Sequence, residues 1–207
     1  MPHHYNRPVL TLSLALLVML TGCRSNIRRA KPVDVTMPTS PDRPLEVNSL
    51  DRARYDEAVE LLKSGELLQA QAAFEELERD ASYIPGVHLN LALIHHQKQD
   101  YPTSRRHLDE ALRLSPRNAL AHNLDGSLLR RGGKFKEAQV AYAKALTIDP
   151  DYASAHFNMA LLFDIYLQYW IDAREHYKRY QKLIESPDET VESWLRDLEV
   201  RIKQAGD

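Results

Sequence analysis

From Asp51 onward the same kinds of residue return every 34 positions, and this period constrains the chain more than any other feature of it. In the blocks 51–84, 85–118, 119–152 and 153–187, the last with one extra residue, the eighth position reads Ala58, Ala92, Gly126, Ala160. The twentieth reads Ala70, Ser104, Ala138 and, after the insertion, Ala173, so both columns hold only small residues. The twenty-fourth reads Phe74, Leu108, Tyr142, Tyr177, and the thirty-second Ser82, Pro116, Pro150, Pro187. Ser64-Gly65-Glu66, Gln99-Asp100-Tyr101-Pro102 and Gly132-Gly133-Lys134 each separate two helical patterns. Two antiparallel helices can cross closely only over small side chains, with a large residue filling the space beside the crossing. Proline falls where one block's second helix stops and the next block's first helix starts. One hairpin cannot hide its apolar face alone, so the blocks must stack.

These columns resemble the tetratricopeptide repeat (TPR), most closely in the third block, where Gly126, Ala138, Tyr142, Ala145 and Pro150 all match. The resemblance implies an all-α solenoid of about four helix-turn-helix repeats. Residues 188–207 are expected to supply a capping helix and tail, because Val191, Trp194, Leu195, Leu198 and Ile202 form one apolar stripe that can cover the open end of the stack. Tyr180 stands in the twenty-seventh column, where alanine is usual, and its bulk suits packing on a cap.

Residues 1–22 read as an address. His3, His4 and Arg7 precede the apolar run Val9 to Leu20, too short to span a bilayer core of roughly 30 Å and suited to a signal peptide. The run ends in Leu20-Thr21-Gly22-Cys23, which resembles the bacterial lipobox; that resemblance implies cleavage before Cys23 and a lipid (diacylglycerol and palmitate) on its thiol. Cys23 is the only cysteine, so no disulfide forms within the chain. Arg24 stands where an aspartate would favour retention at the inner membrane, which makes the outer membrane, facing the periplasm, the expected location. From Cys23 to about residue 50, Pro32, Pro38, Pro41 and Pro44 recur and no aromatic residue appears, as expected of a disordered tether.

Of the 27 Lys+Arg, Arg7 alone lies in the signal peptide, so 26 face 29 Asp+Glu in the mature chain, a balance that argues against nucleic acid as a partner. No phosphate-cradling glycine loop or nucleophile elbow occurs, so no enzyme, catalytic residue, cofactor or small-molecule substrate is expected. His88, His122 and His156 share the fourth column and lie a full repeat apart, roughly 9–10 Å, too dispersed for the ~2 Å bonds of one zinc ion, so no metal is assigned. Asp125, in a column where leucine is usual, is expected to pair with His95 or His122 in the interface between repeats.

The TPR resemblance further implies a concave groove, lined by the first helix of each repeat, that holds a peptide or helix of a protein partner. Carried over column by column, its contacts are Tyr55 in the first repeat, Asn90 and His96 in the second, Asn123, Arg130 and Arg131 in the third, and Phe157 and Asn158 in the fourth. The basic clamp by which chaperone-binding TPR domains hold a C-terminal carboxylate is replaced at Tyr55, Leu120 and Leu124. Tyr166, Tyr169 and Trp170 gather at a lengthened fourth turn as a second contact surface or as packing for the cap. The whole is read as a membrane-anchored scaffold or adaptor in assembly of an envelope complex. It also resembles the repeat lipoproteins that help secretins or type IV pili assemble and, through its C-terminal segment, the TPR proteins that accompany TonB-type transport. A cell-wall enzyme is the competing class.

Overall fold

The computed structural model describes residues 47–206. The expected signal peptide, Cys23 and the tether to residue 46 lie outside the described residues. Helices α1 (Ser49–Lys63) and α2 (Leu67–Ala81) form the first hairpin, α3 (Pro85–Gln97) and α4 (Tyr101–Leu114) the second, and α5 (Ala119–Arg131) and α6 (Phe135–Ile148) the third. The fourth pairs α7 (Ala153–Leu161), continued by a π-helical segment Leu162–Leu167, with α8 (Trp170–Leu183); α9 (Glu189–Gly206) follows. No strand occurs among the described residues.

The columns of small residues do what their size predicts. Ala58, Ala92 and Ala160, with Ala70, Ser104, Ala138 and Ala173, are completely buried, as are Phe74, Leu108, Tyr142 and Tyr177 beside them. A methyl group on Gly126 would lie 2.5 Å from the Tyr142 ring, so glycine is what lets the third hairpin close. Ser104 replaces alanine without leaving an orphan hydroxyl, because its Oγ donates to the Ala92 carbonyl across the hairpin at 2.8 Å.

The period reaches down to single backbone hydrogen bonds. The turns close through Glu66 N to Leu61 O, Asp100 N to His95 O and Lys134 N to Leu129 O, each 34 residues from the next. Phe163 continues that series, yet it accepts from Tyr169, one residue further on than the pattern requires. The extra residue of the fourth repeat is therefore absorbed in the Leu162–Leu167 segment, whose π-turn takes one more residue than an α-turn. The sequence placed it in the turn; the helix end holds it instead. Left-handed residues mark the same register: Gly65, Gln99, Gly133 and, displaced by one, Gln168. Glutamine at φ 64° or 57° carries a steric cost that glycine avoids. Gln99→Gly is expected to raise the unfolding free energy by about 0.5–1 kcal/mol, since glycine's own chain entropy offsets part of the relief; a urea titration checks it, and an unchanged midpoint contradicts it.

The fourth-column histidines are structural. His88, His122 and His156 place Nε2 at 2.8, 2.8 and 3.0 Å from the carbonyls of Ser82, Pro116 and Pro150, tying each first helix to the junction before it. Asp125 does not pair with His95 or His122: it accepts from Arg105 Nη1 at 2.7 Å, while His95 faces Asp100 at 3.2 Å. The arginine comes from α4, which packs on α5, and spacing within the first helices does not reveal it.

The last helix covers the stack as its stripe predicts. Val191 and Leu198 are completely buried, and Trp194 packs on Tyr177 and Phe157 at 5.6 and 6.2 Å between ring centroids. Tyr180 lies 5.0 Å from the Phe157 ring, and its hydroxyl donates to Asp188 at 3.4 Å. Burial beside that carboxylate pushes the Tyr180 phenol up to about 12.

Candidate functional site

The eight groove residues expected from the sequence fall into two groups. Residues in the fifth column of one repeat and the sixth of the next meet side by side. Asn90 Nδ2 donates to the Tyr55 hydroxyl at 3.1 Å, and Asn158 Nδ2 donates to Asn123 Oδ1 at 3.0 Å. Between these polar ties, the corresponding Leu89 and Leu124 are buried in one apolar cluster. Tyr55 is 2% exposed and Asn90 fully buried, and burial raises the Tyr55 phenol to about 12. Asn123 is also buried. The expectation that Tyr55, Asn90 and Asn123 contact a partner directly does not suit their burial: their side chains bind neighbouring first helices to one another. Phe157 is turned to the cap, against Tyr177, Tyr180 and Trp194. Asn158 is half-buried.

The second group, His96 and Arg130 part-buried and Arg131 exposed, comes together. His96, at the end of α3, stands edge-on to the Tyr101 ring at 5.7 Å, and the exposed Arg131 lies over that ring at 3.8 Å. Arg130, at the end of α5, donates through Nε to the Tyr142 hydroxyl at 3.3 Å and reaches over Tyr166 at 5.8 Å. Tyr166 in turn stacks on Phe135 at 4.6 Å. The two surfaces expected separately are therefore one, running from Tyr101 through Arg131, Arg130 and Phe135 to Tyr166. The extra residue of the fourth repeat lies in the segment that carries Tyr166.

The charge of this surface is what makes it a site. Neither Arg130 nor Arg131 forms an ion pair with a carboxylate among the described residues; Arg52, Arg79, Arg117 and Arg196 share that property, whereas Arg54, Arg105, Arg106, Arg113, Arg174, Arg179 and Arg201 are paired, and what sets Arg130 and Arg131 apart is that they are adjacent and each lies over a tyrosine ring. Asp164, which could have neutralised the groove end, is instead held by Arg201 of α9 at 2.8 Å. Burial, with Arg130 and Arg131 nearby, pushes the His96 imidazole below its usual value, so at neutral pH it is an uncharged hydrogen-bonding group. Ile165, Tyr166, Tyr169 and Ile171 are exposed apolar side chains, and of these Tyr166 lies beneath Arg130. Guanidiniums without carboxylate partners, set among aromatic side chains, suit a polypeptide segment that offers carboxylates and apolar side chains together.

Comparison with known proteins agrees with the architecture. Residues 55–119 match the family model described as "Tetratricopeptide repeat", and residues 126–163 the model described as "TPR repeat". Among curated proteins, the peroxisomal targeting signal receptor of Saccharomyces cerevisiae is 32% identical over 89 residues, 42% of this chain and 14% of the receptor. Human trafficking protein particle complex subunit 12 is 24% identical over 131 residues, 60% of this chain and 17% of that subunit. The chain thus spans less than a fifth of either relative. Among solved structures, Pseudomonas aeruginosa pilF has a TM-score of 0.64 at 18% identity, covering 74% of this chain and 69% of that one. MamA from Desulfovibrio magneticus RS-1 has a TM-score of 0.61 at 17% identity, covering 75% and 87%. The first TPR domain of Spaghetti (RPAP3), solved with the HSP90 peptide SRMEEVD, has a TM-score of 0.53 at 18% identity, covering 57% and 93%.

Proposed function

Starting from a chain built of tetratricopeptide repeats, we propose that it is a membrane-anchored scaffold which grips an acidic, partly apolar segment of a protein partner during assembly of an envelope complex. The observation that carries this reading is the pair Arg130 and Arg131, free of carboxylates and bracketed by Tyr101 and Tyr166. The peptide SRMEEVD held by the Spaghetti domain illustrates that the fold accommodates a short acidic segment. Here the cations stand at the end of the first helices, not in the columns of the chaperone clamp, so the partner differs from a chaperone tail. The same surface would serve secretin or pilus assembly, or a TonB-type system, and the partner's identity separates these readings. A photo-crosslinker at position 131 in cells tests the grip. A specific protein adduct there, absent from the exposed Leu68 of α2, is the expected result; adducts at both positions alike contradict it.

Anchoring rests on Leu20-Thr21-Gly22-Cys23. In this reading the thiol of Cys23 carries diacylglycerol and the mature chain sits on the outer membrane facing the periplasm, where two or more acyl chains give stable attachment. Cys23→Ser is expected to abolish labelling by a palmitate analogue and to release the chain from the membrane fraction. Unchanged fractionation and labelling would contradict the anchor.

A further inference from the structure

Where the first two repeats meet, Glu78 of α2, His88 of α3 and His107 of α4 converge on one point. One nitrogen of each imidazole and a carboxylate oxygen of Glu78 lie within 4.8 Å of one another. Glu78 Oε1 stands 3.6 Å from His88 Nδ1 and 3.4 Å from His107 Nδ1, close to the ~3.3 Å edge of a tetrahedron with zinc-type bond lengths. Both imidazoles are almost completely buried, while the carboxylate is part-exposed and leaves a path to solvent.

The exposed Arg106 guanidinium stands at the limit of an ion pair with Glu78, 3.9 Å from Oε1, but the hydrogen bonding leaves the buried side of this point unmatched. His88 Nε2 faces the Ser82 carbonyl at 2.8 Å, an acceptor, so that nitrogen carries the ring hydrogen. Nδ1 of His88 then presents a lone pair toward a carboxylate, two acceptors opposed inside the protein. Both His88 Nδ1 and His107 Nδ1 are buried without a hydrogen-bond partner. A cation between them resolves the opposition. An imidazole that donates one nitrogen to a backbone carbonyl and turns the other inward is also the arrangement that orients histidine ligands in metal sites.

The repeat supplies an internal comparison. The three groups occupy the twenty-eighth column of one repeat and the fourth and twenty-third of the next. At the following junction these positions hold Leu112, His122 and Ala141, and at the one after, Leu146, His156 and His176. In the last case the two imidazoles satisfy each other through Nδ1 atoms 2.9 Å apart. Only the first of these three junctions combines both histidines with a carboxylate.

We propose that Glu78, His88 and His107 bind a divalent transition-metal ion of the zinc class, clamping the first hairpin to the second. Imidazole and carboxylate ligands suit such ions, whereas magnesium and calcium prefer all-oxygen sites. This revises the expectation of no metal, which compared histidines within one column and so overlooked ligands drawn from three. Binding has a cost that can be measured. Arg106 Nη2 donates to His107 Nε2 at 3.0 Å, which places the hydrogen of the neutral ring on Nδ1. For Nδ1 to ligate, that hydrogen must move to Nε2 and the exposed Arg106 must swing away.

The test is titration of the untagged full chain with zinc chloride, followed by calorimetry and by melting with and without chelator, with cobalt as a spectroscopic probe of tetrahedral nitrogen and oxygen ligation. The expected results are a zinc-dependent rise in Tm, at least about tenfold weaker binding in E78Q and H107Q, and unaltered binding in H122Q. R106A should bind more tightly than the unsubstituted chain. His3 and His4 are common to every variant, so differences between variants carry the result. Each variant's chelator-treated melt shows whether it folds without metal, and E78Q keeps the shape of a part-exposed side chain. No zinc effect, equal zinc effects in E78Q, H107Q and the unsubstituted chain, binding lost in H122Q, or R106A binding no more tightly would each overturn the proposal.

Discussion

Tyr142→Ala is expected to cost about 3–5 kcal/mol of stability, the range for deleting a fully buried aromatic side chain. For a folded part of this size that lowers Tm by roughly 6–20 °C. Tyr142 is completely buried, closes over Gly126, and accepts a hydrogen bond from Arg130, so its loss opens a cavity at the centre of the third hairpin and releases a groove cation. Gly126→Ala alone is also expected to destabilise, by about 1–3 kcal/mol, because the new methyl meets a ring that has nowhere to go. Helix propensity returns about 0.8–1 kcal/mol of that. The double variant supplies the decisive comparison. With the ring absent, the methyl added at position 126 fills part of the void, so the two losses must be less than additive. Additive losses in denaturant melts would contradict the contact.

Reversing the two guanidiniums that lack carboxylate partners, Arg130→Glu with Arg131→Glu, is expected to weaken capture of the crosslinked partner by about 100-fold or more, since each charge-assisted hydrogen bond contributes roughly 1.5–3 kcal/mol and is replaced by repulsion. Lys136→Glu with Lys144→Glu changes net charge equally on exposed positions of α6 and is expected to leave affinity within a few-fold. Affinity measured at two salt concentrations should converge for the reversed and unsubstituted chains as salt rises, because screening removes attraction and repulsion together. Equal losses in both charge-reversal pairs would show that net charge alone matters and would remove the groove end from the account.

The fold was legible because its constraints are local and periodic. Small residues in two columns, a large residue in a third and turns at Gly65 and Gly133 each report a contact made within one repeat, and repetition averages out exceptions such as Ser104. The capping stripe was legible for the same reason. The site was legible only in part, because a column states where a residue sits but not what covers it. Tyr55 and Asn90 occupy groove columns and are buried by each other. Tyr101 and Phe135, which complete the cationic surface, begin second helices and lie outside the columns that the resemblance points to. Asp125 found Arg105, and His88 found Glu78, through packing between repeats, while His107 meets His88 within the second hairpin. A signal was present in each case: the three columns meeting at the first junction are visible once the repeat is folded, and the adjacent Arg130 and Arg131 stand out once ion pairs and ring contacts are drawn together.

Hydrogen exchange of the full chain, alone and with the partner recovered by crosslinking, tests the central claim most directly. Slowed exchange concentrated in residues 93–101, 127–135 and 162–170, where the first helices end and the second begin, is the predicted result. Protection confined to α2, α4 and α6, or spread evenly along the stack, would place the partner elsewhere and contradict the account.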